Sequence, residues 1–202
     1  MKQLVFTGYS PELAELADIV EPNHRRYAMT HGYDFYIHHN AWPEWDLSRF
    51  RILRDLLGVM DLILMIDIDA LFVRSDIRFE SFISDEYDQV IAEERIGGCT
   101  INGGVMIFRK AQSSIDLLNW WIDNHDEHKK VPLRGQQYLA ERLWKHDPTL
   151  SRMKVVDPHP FHSCPQLLTG STYQEGDFVV HFMGADLVNK IRLAKEWVPK
   201  CK

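Results

Sequence analysis

Cysteine is scarce in this chain, and the cysteines are far apart. The 202 residues include three, Cys99, Cys164 and Cys201, and no Cys-x-x-Cys pair occurs. This spacing suits neither a zinc site nor a disulfide framework, and it favours a reducing compartment. The longest apolar run, Leu62–Ile66, is far shorter than the roughly 18 residues that a membrane span needs. No signal sequence precedes the first strand pattern, so we expect a cytoplasmic protein without an integral membrane segment.

Basic residues are also fewer than acidic ones. Lys and Arg number 23 against 29 Asp and Glu, which gives a net charge of -6, and no block of five basic residues occurs. We therefore expect no nucleic-acid partner, and an anionic ligand would need positive charge or a metal supplied locally. Hydrophobic residues make up 45% of the chain, enough for a sizeable core. The length fits one domain, which we expect to span residues 1–202.

Strand patterns and helix patterns alternate along the chain. Apolar runs of strand length lie at 3–7, 34–38, 62–66, 89–92, 104–108, 154–156 and 178–181. Apolar residues at helical spacing lie at 11–20, 23–31, 47–59, 113–124 and 135–144. This alternation predicts an α/β fold with a mostly parallel sheet. We expect antiparallel pieces near the C-terminus, where helical patterns become rare.

The most informative segment is an apolar strand that ends in Asp67 and Asp69. Isolated buried carboxylates are costly, so the pair needs a partner. In α/β sheets the carboxyl ends of the strands are also where ligands bind. Two oxygen-rich side chains at such a point suit a divalent cation such as Mn²⁺ or Mg²⁺. A helix cap or a loop ion pair would explain the same residues without a metal.

Two further segments place polar residues beside apolar strands. Asn102, Gly103 and Gly104 lead into a buried strand, and glycines there let a ligand approach the backbone closely. A bulge or a tight turn is the alternative. His181 follows another apolar strand, and imidazole is a common ligand of transition metals. With the two aspartates it completes a candidate metal triad, for which a hydrogen-bonded structural histidine is the alternative.

The order of these segments resembles the metal-dependent glycosyltransferases of the GT-A fold, most closely family thirty-four, the galactosyl- and xylosyltransferase group. Three motifs carry the resemblance: Asp-Ile-Asp-Ala-Leu-Phe at 67–72, Asn-Gly-Gly-Val-Met-Ile-Phe-Arg at 102–109, and Gly-Asp-Phe-Val-Val-His-Phe-Met-Gly at 176–184. Weaker similarities lie at 27–33 and 161–165. The resemblance spans nearly the whole chain and implies a GT-A-like (Rossmann-like) sheet flanked by helices.

The resemblance also implies the reaction. A sugar would pass from a nucleotide sugar, UDP-linked, to a hydroxyl of a carbohydrate or other acceptor, with retention of anomeric configuration. Asp67 would contact ribose or metal, while Asp69 and His181 would hold Mn²⁺ (or Mg²⁺) against the diphosphate. Trp42 and Trp45 would be either an acceptor platform or core residues. The nucleotide sugar would be bound by Thr7, Gly8, Tyr9, Asp67, Gly103, Gly184 and Lys190.

Three residues are expected to act near the reacting carbon: Arg49, Asn102 and Gln136. Arg49 stands where the family usually has lysine, and its guanidinium offers planar, bidentate contacts that lysine lacks. Lys190 follows the His181 loop and would contact a phosphate. For Arg49 and Lys190 the alternative is a solvated charge on a helix.

One position departs from the family pattern. The family carries an acidic residue followed by glutamine at the start of a helix near the reacting carbon, and here Gly135 and Gln136 stand there. A front-face substitution, in which the departing phosphate helps activate the acceptor hydroxyl, needs no carboxylate. Gln136 would then stabilise the positive sugar with its carbonyl oxygen. Altered donor choice, or a nucleotide-sugar-binding protein that has lost catalysis, are the alternatives.

A phosphohydrolase of the haloacid dehalogenase type is a further alternative, because it also has a hydrophobic strand followed by Asp-x-Asp. That group has Thr or Val two residues after the second Asp, where this chain has Leu71. Its motif usually lies near the N-terminus, and an acidic pair follows late in the chain. Here the late strand ends in His181, so the glycosyltransferase hypothesis fits better.

Overall fold

The structure is a computed structural model that describes residues 1–39, 45–94, 101–131, 134–165 and 172–202. Cys99 and Trp42, with the loop predicted around it, lie outside these ranges, as does the side chain of Trp45.

The described part of the chain contains strands and helices in alternation, labelled here in chain order. The strands are β1 Gln3–Gly8, β2 Asp34–His38, β3 Leu62–Ile66, β4 Ala70–Phe72, β5 Gln89–Glu93, β6 Ile101–Arg109, β7 Met153–Val156, β8 His162–Ser163 and β9 Val179–His181. The α-helices are α1 Ala14–His31, α2 Trp45–Leu56, α3 Gln112–Asp123, α4 His125–His128, α5 Arg134–Trp144, α6 Pro158–Phe161 and α7 Leu187–Trp197. Short 3-10 segments lie at Pro11–Leu13, Phe79–Phe82, Pro148–Leu150 and Val198–Lys200.

The larger sheet confirms the predicted fold class. Its six strands follow the order β2-β1-β3-β6-β5-β7, and only β6 runs antiparallel to its neighbours. A smaller sheet has the order β4-β9-β8, with β9 antiparallel to β4 and parallel to β8. The pairing of β9 with β4 is the antiparallel piece predicted for the C-terminal part. The carboxyl ends of β1 and β3 lie side by side at one edge of the larger sheet.

Both faces of the larger sheet are covered, which explains why its strands are continuous apolar runs. Successive residues of a strand point to opposite faces. On one face, Leu4 and Phe6 belong to a core cluster with residues of α2, α3 and α5. On the other face, Val5 belongs to a cluster with residues of α1 and β4. Every residue of β3 is buried in this way.

Two helices show how local signals and packing combine. Helix α1 ends at Gly32, whose φ of 70° is the left-handed conformation expected of a glycine cap, as predicted. Helix α7 was not predicted, because helical patterns were expected to become rare near the C-terminus. Asp186 caps α7 by accepting a hydrogen bond from Asn189 N at 2.8 Å. Its residues Leu193 and Ala194 are buried in a cluster with α1. None of the described helices has the length and apolar character needed to cross a bilayer.

Candidate active site

The predicted Asp-x-Asp pair lies in the turn between β3 and β4. Asp67 N donates to the carbonyl oxygen of Gly104 at 2.7 Å, which ties the end of β3 to β6. The carbonyl oxygen of Asp67 accepts from Ala70 N, which closes the turn. The carbonyl oxygen of Asp69 accepts from Phe182 N at 2.8 Å, directly after β9. Four strands of two sheets, β3 and β6 of the larger and β4 and β9 of the smaller, therefore meet at this turn.

The structure brings the three predicted metal-binding residues together. One ligand atom each from Asp67, Asp69 and His181 lie within 4.8 Å of one another. His181 Nε2 lies 3.0 Å from Asp69 Oδ1. The side chain of Asp69 is 11% exposed and that of Asp67 27%. Two carboxylates and an imidazole are a suitable donor set for Mn²⁺, and less so for Mg²⁺, which prefers oxygen.

Two cationic side chains balance the carboxylates. Lys190 Nζ lies 2.7 Å from Asp69 Oδ2, and Arg49 Nη1 donates to Asp67 Oδ1 at 3.0 Å. Burial alone would raise the pKa of Asp69, but His181 and then Lys190 outweigh burial and lower that pKa. Asp69 is therefore an ionised carboxylate that these neighbours stabilise. The ion pairs given above as the alternative to a metal are present, and they use the same oxygen atoms.

His162 contacts the nitrogen of the His181 ring that does not face Asp69. Its Nε2 lies 2.8 Å from His181 Nδ1, and both rings are buried. Burial, followed by the nearby His181, lowers the pKa of His162 well below its usual value, so His162 is neutral. The tautomers of the two rings decide which nitrogen donates in this hydrogen bond. The contact leaves His181 Nε2 facing the carboxylates. The sequence analysis gave His162 no role; the only signal was the weak family similarity at 161–165.

The glycines before the main part of β6 have a packing reason. A Cβ atom at Gly104 would lie 2.3 Å from Cε1 of His181, so the imidazole occupies the space of a side chain. The pairing of β5 with β6 is irregular here, since Ile91 faces Met106 but Ala92 faces Asn102. The bulge that was an alternative interpretation of this segment is therefore present, and the close approach that glycine allows is used by His181.

A cleft of about 500 Å³ lies beside the carboxylates. Five residues predicted for the site line it: Arg49, Asp67, Gly103, Gln136 and Lys190. The other lining residues are Phe50, Ile91, Met106, Trp121, His125, His128, Lys129 and Gly135. Arg49, Lys129 and Lys190 thus outnumber the one lining acid, Asp67, although the whole chain carries a charge of -6. The cleft supplies the local positive charge that an anionic ligand needs.

Four residues predicted for the nucleotide pocket are not among the described lining residues of this cleft: Thr7, Gly8, Tyr9 and Gly184. Thr7 is fully buried, and its hydroxyl has no hydrogen-bond partner among the described residues. The hydroxyl of Tyr9 lies 2.8 Å from His39 Nδ1. Gly184 has a φ of 72°, in the turn after β9. Thr7 and Gly8 are nevertheless the last residues of β1, and Tyr9 follows them, at the end of the sheet where Asp67 follows β3.

The aromatic and basic wall of the cleft could not be found from the sequence. Trp121 lies on α3, His125 and His128 on α4, and Gly135 on α5. Trp121, His125 and His128 belong to no motif that indicates a site, whereas Gly135 was noted only as a departure from the family pattern. They meet because α4 packs against α5 and the start of α5 lies beside the indole of Trp121.

Gly135 departs from the family pattern for a steric reason. A Cβ atom at position 135 would lie 2.3 Å from Nε1 of Trp121 and 3.1 Å from Nδ1 of His128. Trp121 stacks on Phe50 with ring centroids 4.3 Å apart, so the indole is held in place. An acidic side chain at position 135 does not fit in this arrangement. The loss of the family acid and the position of Trp121 are therefore coupled.

This packing predicts that Gly135→Ala destabilises the protein. Alanine normally stabilises a helix relative to glycine, by about 0.4–1 kcal/mol at a compatible site. Overpacking against Trp121 should reverse the sign and cost about 1–3 kcal/mol. Thermal unfolding should show a lower Tm. Gly103→Ala is the control, because a Cβ there lies 3.6 Å from its nearest neighbour and should change Tm little. A raised Tm for Gly135→Ala would contradict the steric account.

The fold and the family agree with this geometry. The chain matches the galactosyl transferase GMA12/MNN10 family over residues 48–192. Curated proteins give no match. A glycosyltransferase involved in the glycosylation of the major capsid of PBCV-1 has a similar structure, with a TM-score of 0.79 and 17% identity over 97% of this chain and 100% of its own. The glycosyltransferase GlyE of Streptococcus pneumoniae TIGR4 is similar with a TM-score of 0.61 and 13% identity over 100% of this chain and 60% of its own.

At these identities the structural similarity shows the fold. The family match covers well over half of the chain and includes the Asp-x-Asp, Asn102 and His181 segments. The resemblance stated from the sequence is confirmed, and the phosphohydrolase alternative is wrong. The chain belongs to the galactosyl transferase GMA12/MNN10 family and is a glycosyltransferase.

Proposed function

We propose that this glycosyltransferase moves a sugar from a UDP-sugar to an acceptor hydroxyl, with retention of configuration and with Mn²⁺ held by Asp67, Asp69 and His181. The observation that supports the metal and the diphosphate is the convergence of these three ligand atoms within 4.8 Å, beside a cleft lined by Arg49 and Lys190. The UDP preference rests on the family resemblance. The acceptor is a carbohydrate or another molecule with a free hydroxyl.

When bound, Mn²⁺ supplies Lewis-acid neutralisation of the diphosphate that leaves. The cations of the chain act in the same direction. Lys190 and Arg49 both line the cleft, and each lies within 3.0 Å of one carboxylate of the triad, so they are held close to the metal site. Their charges favour phosphate oxygens at this edge of the sheet, and fixed charges stabilise a developing anion without reorganisation.

The reaction breaks the bond between the anomeric carbon and the phosphate oxygen, and it forms a bond from the acceptor oxygen to the same face of that carbon. The acceptor proton passes to the departing phosphate oxygen, so no carboxylate at position 135 is needed. Gln136 Oε1 accepts a hydrogen bond from Gly103 N at 2.8 Å, which fixes the carbonyl beside the cleft. A carbonyl oxygen has a second lone pair, which is available to the positive sugar.

We assign the nucleotide to the carboxyl end of β1. Thr7 and Gly8 end β1 and Tyr9 follows it. Strand β1 pairs in parallel with β3, and ligands of α/β folds bind at the carboxyl ends of such strands. The buried hydroxyl of Thr7 can donate to a ligand atom there. Gly184, in the turn after His181, would allow the backbone to approach the diphosphate.

The proposal also keeps two broader predictions from the sequence. One is a single catalytic domain over residues 1–202, supported by the structural similarity over 97% of the chain. The other is a cytoplasmic location, which rests on the small number and wide spacing of the cysteines in the sequence.

Donor class can be tested by thermal shift. We expect UDP-sugars with Mn²⁺ to raise Tm more than GDP- or CMP-sugars do, because ligand at ~100 times its Kd adds about 2.7 kcal/mol of stability. Mn²⁺ alone, and each nucleotide sugar with a chelator, are the controls. Hydrolysis of the stabilising donor, measured as the release of free sugar, would distinguish an active enzyme from a protein that only binds the donor. A larger shift with another nucleotide would contradict the UDP assignment.

A further inference from the structure

Glu94 stands directly after β5 and contacts two residues of the proposed site. Its Oε2 accepts a hydrogen bond from Asn102 Nδ2 at 2.9 Å. The side chain of Gln136 lies near the Glu94 carboxylate and acts to lower its pKa. Nothing in the sequence pattern singled out Glu94, which has no motif of its own. One carboxylate therefore connects β6 to the first turn of α5.

The amide of Asn102 is held at both ends, and that of Gln136 is held at its carbonyl oxygen and lies near Glu94 at its other end. Asn102 Oδ1 accepts from Gly104 N at 2.8 Å, and Gln136 Oε1 accepts from Gly103 N at 2.8 Å. An amide side chain can be turned around with almost no change in shape, so its neighbours decide which end is oxygen. Glu94 accepts from the NH₂ end of Asn102, and a carboxylate beside Gln136 favours the NH₂ end of that amide in the same way. The carbonyl ends are then directed at the two glycine N–H groups.

The charge of Glu94 acts through these bonds as well. Hydrogen bonds to a carboxylate are stronger than bonds between neutral groups, and a chain of hydrogen bonds polarises its members. A carboxylate beside its NH₂ end makes the carbonyl oxygen of Gln136 more negative, and Gln136 and Gly103 both line the cleft. Burial raises the pKa of Glu94, and the bond from Asn102 opposes that rise.

Glu94 and the acid expected from the family resemblance lie on different elements. The family acid precedes the glutamine on α5, where Gly135 is confined by Trp121. Glu94 approaches the same glutamine from the end of β5, on the far side of β6 from β3. A negative charge near Gln136 is thus retained, although position 135 has none.

We propose that Glu94 is a positioning residue of the transfer reaction, which holds the amides of Asn102 and Gln136 so that the carbonyl oxygen of Gln136 is directed at the donor sugar. The inference rests on the proposed function. Glu94 forms no bond to the sugar and exchanges no proton with it. Its contribution is to the orientation and polarity of groups that line the cleft.

The test is steady-state turnover of the donor beside a UDP titration. Glu94→Gln keeps the shape but removes the charge and presents its own NH₂ to one of the amides. Misplacing a group at the reacting centre by about 1 Å costs roughly 100-fold in rate, so kcat should fall by about that factor. UDP affinity should stay within about twofold, because the triad, Arg49 and Lys190 are unchanged. Glu93→Gln, at the exposed neighbouring position, is the matched control and should behave as wild type.

A double-mutant cycle with Gln136→Ala separates positioning from general damage to the fold. If Glu94 acts through Gln136, adding Glu94→Gln to Gln136→Ala should lower kcat by less than about threefold. A full, multiplicative second loss would overturn the proposal. Glu94→Asp keeps the charge on a shorter side chain, and its kcat should lie between wild type and Glu94→Gln. If Glu94→Gln does not fold, Glu94→Asp takes its place in the kcat measurement and in the double-mutant cycle.

The remaining outcomes are also decisive. Wild-type kcat in Glu94→Gln would overturn the inference alone. A wild-type chain that turns over no nucleotide sugar would overturn the proposed function, and this inference with it.

Discussion

Replacing Asp69 with alanine is expected to abolish Mn²⁺-dependent UDP binding in calorimetry. The Asp69 carboxylate lies 3.0 Å from His181 Nε2 and 2.7 Å from Lys190 Nζ, so it touches a proposed metal ligand and a proposed phosphate contact at once. Its removal takes away one of three ligands and leaves the buried His181 without its acidic partner. No other effect of a single substitution in this site should be as large.

The thermal stability of each Asp69 variant must be measured beside its UDP binding. Breaking a buried pair by removing one partner costs about 3–5 kcal/mol. Asp69→Asn is therefore a necessary companion, since it keeps the size and one carbonyl oxygen while losing the charge. Asp55→Asn is the matched control, because the side chain of Asp55 is 73% exposed and lies away from the cleft. Folded Asp69 variants that bind UDP as wild type does in the presence of Mn²⁺ would end the metal hypothesis.

The second large effect is expected for Gln136→Ala. Its carbonyl oxygen is fixed by Gly103 N at 2.8 Å and faces the cleft, where charge develops on the sugar as the diphosphate leaves. Electrostatic support of this kind is typically worth about 10²-fold or more in rate. Turnover should fall by that order. UDP affinity should remain nearly intact, because the carboxylates, Arg49 and Lys190 keep their positions.

The neighbouring Gln137 provides the control. Its side chain lies near Glu141 on the exposed surface of α5, so Gln137→Ala changes the same helix without touching the cleft. Turnover and UDP titration are measured on both variants. Full activity of Gln136→Ala would remove Gln136 from the reaction, and loss of UDP affinity at normal turnover would move it to the nucleotide pocket. The product, analysed by NMR, should keep the anomeric configuration of the donor, and an inverted product would exclude the front-face course.

The comparison of sequence with structure shows which parts of the fold are local. The run that forms β3 and the helical spacing before Gly32 are properties of short segments, and both were predicted from the sequence. The same holds for the α/β class, because alternating strands and helices admit few other arrangements. The antiparallel direction of β6 within the larger sheet was not predicted. It depends on how the chain returns to the sheet between β5 and β6, and an apolar run alone carries no direction.

The site divides in a similar way. Asp67, Asp69 and His181 were grouped from the sequence because each follows an apolar strand, and the structure brings their side chains together. Their role as metal ligands stays a prediction. The residues that surround them were not indicated by any strand-end pattern. They are His162 next to His181, Trp121 next to Gly135, and Glu94 near the amides of Asn102 and Gln136.

From the sequence alone came the strands of the larger sheet, most of the longer helices, the family and the polar residues at strand ends. Those signals are periodicity and motif, which involve residues close together in the chain. Only the tertiary structure decided which side chains meet across it. His162 and His181 are 19 residues apart, and Gly103 and Gln136 are 33 apart. Contacts of that kind depend on how sheets and helices pack, and no local pattern encodes them.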